Sequence, residues 1–257
     1  GLAESVEEFL FKAQAASYEA IRPMFESFAV NRPLTTGLIQ WMLNSAWPET
    51  YWQLYDWYLM PNGAFYGTRA ASQPLNLSFN YADQTVYGVN DSRHDSEGLT
   101  ATVRAFELSA KEIFNQTYRL TLPAAGAQPV VSLADLESPT AVWFLDLRVR
   151  DASGAEVARN FYWLSAKPDV LDYANNLWYV TPTKDFADFT SLNDLPEVEL
   201  ETSAIADNNE VAVHYISILP GESRELKVRF PAEDDVSDAM LMIKGWNVAE
   251  REVELGP

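Results

Sequence analysis

The chain has 257 residues, 37 acidic against 18 basic, for a formal net charge of −19 at neutral pH. That charge repels phosphate backbones, and no lysine or arginine cluster reverses it locally, which argues against nucleic acid as a partner. Cysteine is absent, so disulfides, thiolate metal sites and cysteine nucleophiles are excluded.

Hydrophobic residues make up 47% of the chain and aromatic ones 13%, a globular composition. No apolar run reaches the roughly 18 to 20 residues that span a bilayer, so no membrane partner is expected. The length suggests two domains, or three small ones. Gly1 to Glu8 carries no signal-like segment; a start at Gly1 points to processing or a fragment. The lack of cysteine leaves the compartment open, and a secreted or periplasmic location is the expectation.

From Ser5 to about Val30, apolar residues such as Val6, Phe9, Leu10, Tyr18, Ile21, Phe25 and Phe28 recur at spacings of three and four, which predicts a helix. Ser5 is its expected N-cap, with Glu8 completing a capping box. Pro23 lacks the N–H that would bond the Glu19 carbonyl, so a kink or division is expected near Glu19 to Arg22, at about 3 kcal/mol. Thr36 to Asn44 is a nearly continuous apolar run, as in a parallel strand covered on both faces. Trp47 to Tyr66 is dense in aromatics and ends in the turn Pro61-Asn62-Gly63. Within it, Tyr51, Trp52, Tyr55 and Tyr58 have helical spacing. Such a stripe is expected to pack against the following domain, since burying one aromatic contributes about 1.5 to 3 kcal/mol.

After Ser72-Gln73-Pro74 the rhythm changes to period two, in Leu75 to Phe79, Val86 and Val89, Leu99 to Ala105, and Trp143 to Val149. Half-buried antiparallel strands at such spacing predict a β-sandwich over 72–166, closed by a hairpin through Asp151-Ala152-Ser153-Gly154 into Val157 to Leu164. Pro168 to Asp194 reads as irregular and anchored by Trp178, Tyr179, Phe186 and Phe189. Strands resume at Val198 to Leu200, Leu226 to Phe230 and Ala239 to Ile243, with a tight turn at Pro220-Gly221. The last region, 167–257, falls short of the about seven strands of an immunoglobulin-type sandwich. It is either a reduced sandwich or lacks sequence near Asp207-Asn208-Asn209. The fold class expected is mainly β.

Three blocks, Tyr18-Glu19-Ala20-Ile21-Arg22-Pro23-Met24-Phe25-Glu26, Gly37 to Pro48 and Tyr55-Asp56-Trp57-Tyr58-Leu59, resemble the end of the catalytic domain in glycoside hydrolase family 2 enzymes of the exo-β-glucosaminidase and endo-β-mannosidase type. Asn160 to Ser165, Pro168 to Leu171, Ala187 to Thr190 and Leu219-Pro220-Gly221-Glu222 resemble the two sandwich domains that follow there. The resemblance covers nearly the whole chain. It implies that residues 1–71 end a (β/α)8 TIM barrel, that 72–166 form an immunoglobulin-like β-sandwich, and that 167–257 form a second one. The implied parent hydrolyses β-linked glucosamine with retention, and this portion completes and braces the barrel; β-mannosidase is the alternative within the class. The implied partners are a β-linked oligosaccharide and the N-terminal remainder of the same enzyme. Two departures stand out, Pro23 and the short stretch between Leu200 and Leu219.

Retaining glycosidases need two carboxyl groups about 5 to 5.5 Å apart. No glutamate here ends a buried parallel strand, and Glu49 follows Pro48 in a loop, so the catalytic pair is expected before Gly1 and the chain alone is expected to be inactive. Barrel active sites lie at the C-terminal ends of the strands, which makes Trp41, Asn44 and Trp47 the candidate substrate-binding residues. Trp41 would be a platform under the sugar, Asn44 a hydrogen-bond partner of a hydroxyl, and Trp47 a wall. The plain alternatives are a core tryptophan and an asparagine that satisfies loop backbone. The resemblance also points to a non-proline cis peptide at Trp41-Met42.

His94 and His214 show no ligand spacing, and neither metal nor cofactor is expected. Acidic pairs such as Glu7-Glu8 and Asp234-Asp235 are solvated faces or an attraction for a polycationic, chitosan-like substrate. Asn76, Asn90 and Asn115 each open an acceptor motif for glycosylation. A non-catalytic carbohydrate-binding sandwich is the contrasting reading, and exposure of both Trp143 and Trp163 on one sheet would favour it. A pure spacer requires every tryptophan except Trp41 and Trp47 to be buried.

Overall fold

The computed structural model describes residues 2–49, 52–202, 216–226 and 240–254. Helix α1 (Val6–Val30) begins at Ser5, whose hydroxyl accepts the Glu8 N–H at 3.0 Å, and Glu8 reaches back to the Glu4 N–H at 2.7 Å. This is the expected box displaced by one residue. The expected division at Pro23 does not occur, and the helix runs through to Val30. The missing backbone bond is offset by the anchoring of Arg22 and Glu26, one on each side of Pro23, described below.

Helix α2 (Gly63–Ala71), which the apolar pattern did not reveal, starts where Asn62 accepts the Phe65 N–H at 3.2 Å. Its two glycines set the helix packing. A Cβ on Gly63 would stand 2.0 Å from the Gln14 carbonyl oxygen and one on Gly67 2.6 Å from that of Tyr18, so only glycine admits this close approach. Ile21, Leu54 and Ala64, with Phe25, Tyr55 and Phe65, form the core of this helical unit.

The run Thr36 to Asn44, expected as a parallel strand, is extended but unladdered; it bears only an isolated parallel bridge from Asn44 to Tyr55. A parallel strand needs strands paired along its edges, and among the described residues no strand pairs with this run. Leu38, Ile39, Trp41 and Leu43 are consequently exposed. The expected aromatic stripe is also corrected. Tyr51 lies outside the described residues, and the loop from Trp52 is not helical; it folds back through the Leu54 and Tyr55 N–H groups onto the Leu43 carbonyl at 3.1 and 3.0 Å. Tyr55 packs in the helical unit rather than on the sandwich, and Tyr58 is exposed.

Seven strands then form two antiparallel sheets: β1 (Leu75–Asn80), β2 (Thr85–Asn90), β3 (Ser96–Glu107), β4 (Glu112–Leu122), β5 (Gly126–Ser132), β6 (Val142–Arg150) and β7 (Glu156–Ser165). Their orders are β1-β2-β5 and β4-β3-β6-β7. Alternate residues such as Leu77, Phe79, Val86, Val103, Leu145, Leu147, Val149 and Tyr162 close the core between the sheets.

The outer face of the four-stranded sheet is covered too. There Phe106, Val142 and Phe144 pack with Leu192 and Leu219, flanked by Trp163 and Trp246. Trp246 stands 5.7 Å from Phe11 of α1 and 6.0 Å from Trp163 of β7, so helix, sandwich and last region meet at one aromatic junction. In the last region, β8 (Val170–Leu171) pairs with β9 (Thr183–Asp185) and β10 (Met240–Ile243) with β11 (Arg251–Glu254). The strand expected at Val198 to Leu200 is a single bridge from Val198 to Val248. The expected strand at Leu226 to Phe230 lies, beyond Leu226, outside the described residues, as do Ala239, Asp207 to Asn209, Asp234-Asp235 and His214.

Candidate functional site

The sandwich has an open seam where β1 and β7, edge strands of different sheets, face each other. An uncovered edge carries unpaired backbone groups. Here β7 side chains bridge the seam: Asn160 Nδ2 donates to the Leu77 carbonyl at 3.3 Å, and the Tyr162 hydroxyl accepts the Phe79 N–H at 3.0 Å. Helix α1 covers both. Glu26 Oε1 accepts from Asn160 Nδ2 and from the Tyr162 hydroxyl, each at 2.7 Å. Arg22 Nη1 donates to the Phe161 carbonyl at 2.5 Å, Nη2 pairs with Glu19 at 2.6 Å, and the guanidinium lies 4.0 Å from the centre of the Tyr162 ring.

Arg22 and Glu26 are both fully enclosed. Burial pushes the Glu26 carboxyl up to about 7, against the pull of Arg22. Buried charges persist only when paired and hydrogen-bonded. The two sequence blocks around Tyr18–Glu26 and Asn160–Ser165 are therefore each other's partners. The signal for this lay in the sequence: Arg22 and Glu26 fall on the same helical stripe as Ile21, Phe25 and Ala29, where charge survives only with a partner.

A second charged cluster, not anticipated from sequence, ties the last region to the outer sheet face. Asp146 is fully buried and accepts from Arg104 at 2.6 Å, Arg148 at 2.7 Å and Arg159 at 2.8 Å. Glu222 follows Gly221, whose φ of 77° suits glycine, and meets Arg148 and, at 3.1 Å, Arg159. Burial opposes its charge, yet Arg148 and Arg159 hold the Glu222 carboxyl below its ordinary range.

The candidate substrate residues Trp41, Asn44 and Trp47 all sit on the extended segment, and the two tryptophans are 73% and 62% exposed. The Trp41-Met42 peptide is cis, as the resemblance implied. Asn44 Nδ2 donates to the Ser45 carbonyl at 3.2 Å, the plain role weighed for it. A cleft of about 320 Å³ between the helices and β7 is lined by Tyr18, Tyr66, Arg69, Gln73, Glu156 and Arg159, and one of about 170 Å³ lies near Phe28, Arg32 and Asp91. Neither includes Trp41, Asn44 or Trp47. Glu49 is exposed in its loop and accepts from Gln53 at 2.9 Å.

Trp143 is buried in the core, and Trp163 packs against Trp246, so the joint exposure that would have favoured a carbohydrate-binding sandwich is not found. Trp178, at 94% exposed, fails the condition set for a pure spacer. Asn76 and Asn90 are buried while Asn115 is exposed. His94 is exposed.

Residues 83–167 match the family described as Mannosidase Ig/CBM-like domain. The chain is 36% identical over 211 residues to an exo-β-D-glucosaminidase of Amycolatopsis orientalis, covering 79% of this chain and 20% of that enzyme. It is 29% identical over 290 residues to one of Arthroderma benhamiae, covering 98% and 32%. The crystal structure of the Amycolatopsis orientalis exo-chitosanase CsxA superposes with a TM-score of 0.72 at 36% identity, over 76% of this chain and 24% of that one. A β-D-mannosidase of Dictyoglomus thermophilum shares the fold, with a TM-score of 0.54 at 18% identity over 64% of this chain and 20% of that one. The chain thus spans about a fifth to a third of the length of these glucosaminidases. In sequence along nearly its whole length, and in its mainly β architecture, the chain is a homologue of the exo-β-D-glucosaminidases of glycoside hydrolase family 2.

Proposed function

We propose that the chain is the C-terminal part of a retaining glycoside hydrolase acting on β-linked glucosamine, and that it completes and braces a catalytic barrel whose carboxylates lie elsewhere in the polypeptide. On this reading 1–71 is the barrel end, 72–166 the bracing sandwich and 167–257 a second one. Trp41 lies under the sugar, Trp47 walls the pocket, and Asn44 turns from the Ser45 carbonyl to a sugar hydroxyl. A secreted or periplasmic location belongs to the same proposal.

The observation that carries it is the extended segment Thr36 to Trp47. It displays Leu38, Ile39, Trp41, Leu43 and Trp47 outward while α1, directly before it, is locked on the sandwich through Arg22 and Glu26. Apolar patches of this kind mark surfaces meant for contact, and a rigid brace holds this one in place. Similarity over 98% of the chain to a glucosaminidase supports glucosamine over mannose.

The test is hydrolysis of p-nitrophenyl β-glucosaminide and β-mannoside. The chain alone is expected to hydrolyse neither, and the full-length gene product to hydrolyse the glucosaminide with retention. In that product Trp41→Ala should lower kcat/KM at least about tenfold, equivalent to ~1.4 kcal/mol of transition-state binding. Robust hydrolysis by the chain alone, or an unaffected Trp41→Ala enzyme, contradicts the proposal.

A further inference from the structure

At the start of the last region, just after the sandwich, the chain makes a narrow finger whose base is the β8–β9 pair and whose tip is Leu177-Trp178-Tyr179-Val180. Its shape is held by its own hydrogen bonds. The Asp172 N–H donates to the Pro182 carbonyl at 2.8 Å, the Leu177 N–H to the Val180 carbonyl at 2.9 Å, and Asn175 Nδ2 to the Asp172 carboxylate at 2.7 Å. A built turn therefore presents Trp178 to solvent at 94% exposure, with Tyr179 against it edge to face at 5.0 Å and 74°. With the tyrosine beside it, the indole is still almost wholly open to solvent.

The base of the finger is acidic. Asp169, Asp172, Asp185 and Asp188 stand against Lys167 and Lys184, and Lys167 is already paired with Asp185 at 2.7 Å. An exposed indole is the aromatic face that best attracts a cation, about 0.5 to 1 kcal/mol at an exposed site and more when water is displaced. The carboxylates at the base share that preference for cations, most strongly at low salt, where screening is weakest. An apolar ring on an acidic finger suits a ligand that has both a flat C–H face and a positive charge. Protonated aminosugars have both, whereas neutral sugars lack the charge and phosphates or uronates carry the wrong sign.

We infer that the finger 170–185 is a binding site for cationic glucosamine oligomers, with Trp178 as stacking platform and Tyr179 as its support, separate from the segment carrying Trp41 and Trp47. The choice of ligand rests on the glucosaminidase reading; the site itself rests on the finger. Its role is to hold a neighbouring stretch of a chitosan-like polymer while the end of the chain is processed.

The test is a fluorescence titration of the purified chain with a glucosamine hexamer and with its fully N-acetylated counterpart, in low and high salt. Saturable quenching by the glucosamine hexamer is expected, weakened about tenfold or more in Trp178→Ala and by N-acetylation, and reduced by salt. Trp57→Ala, at another exposed tryptophan, should leave it unchanged. Because Trp178 makes almost no buried contact, Trp178→Ala should keep the circular dichroism and melting temperature of the parent chain.

Absence of saturable binding, binding that survives Trp178→Ala, or equal affinity for the acetylated hexamer overturns the inference. So does shielding of Trp178 from acrylamide in the sugar-free full-length enzyme, which would assign the finger to a protein contact. None of these results depends on hydrolysis, so the inference fails separately from the proposed function.

Discussion

Strand β6 opens with the unbroken apolar run Val142 to Leu145, and Thr36 to Asn44 is a nearly continuous apolar stretch as well. In β6, Val142 to Leu147 are all buried, because β3 and β7 pair along its edges and both faces of its sheet are covered. The run at Thr36 to Asn44 joins no sheet among the described residues, meeting the Trp52 to Tyr55 loop through Gln40, Leu43 and Asn44, and Trp41 and Ile39 stand 73% and 90% exposed. Apolar continuity encodes a demand for burial on two faces. It does not say whether the elements that meet the demand lie within the same stretch of chain.

The largest effects should come from the brace that joins the two regions. Arg22→Ala leaves Glu26 and Glu19 without their cation and opens the seam between β1 and β7. It should cost about 3 to 5 kcal/mol in urea unfolding, and an unchanged midpoint would show that helix and sandwich are stable separately. Within the sandwich core, Leu147→Ala, at a fully buried site, should cost about 2 to 5 kcal/mol through the cavity it leaves.

Next comes a pH effect. The folded-state Glu26 carboxyl titrates near 7 rather than 4.5, so the native state holds its proton more tightly than the unfolded chain. The contribution is complete below about pH 4.5 and is lost as pH rises through about 7. The groups facing it are Arg22 and Glu19 on α1 and Tyr162 and Asn160 on β7. Glu26→Gln should flatten the fall in melting temperature across that window; an unchanged slope would place the titration elsewhere. The smallest effect is expected at Trp41→Ala in this chain alone, within about 0.5 kcal/mol because the side chain is exposed, in contrast to its expected effect on catalysis in the full-length enzyme.

Much of the sandwich could be read from alternation, since Leu75 to Phe79, Leu99 to Ala105 and Trp143 to Val149 place every second side chain in one core. β4 and β5 escaped because their faces are mostly wet: β4 reads Asn115-Gln116-Thr117 at its centre, and β5 carries Pro129, tolerated on an edge strand. Helix α2 was hidden by Gly63 and Gly67, poor helix formers that the sequence uses for close packing on α1.

At the candidate site, Trp41 and Trp47 were recognisable by their place in a familiar block. The pocket proposed around them was not legible, since on that proposal it is completed by chain outside these residues. That Arg22 and Glu26 need partners was legible from their helical stripe, but that the partners are Asn160 and Tyr162, more than 130 positions away, was not. In the cluster around Asp146, Arg148 is two positions away on β6, but Arg104 and Arg159 reach it from the neighbouring strands β3 and β7, which no local pattern reveals.

The most direct test of the account is amide hydrogen exchange at Thr36 to Asn44, compared between this chain and the full-length gene product. The account predicts rapid exchange in the chain alone and strong protection in the full-length protein, where barrel strands would pair with this segment. Equal exchange in the two proteins, whether fast or slow, would contradict it.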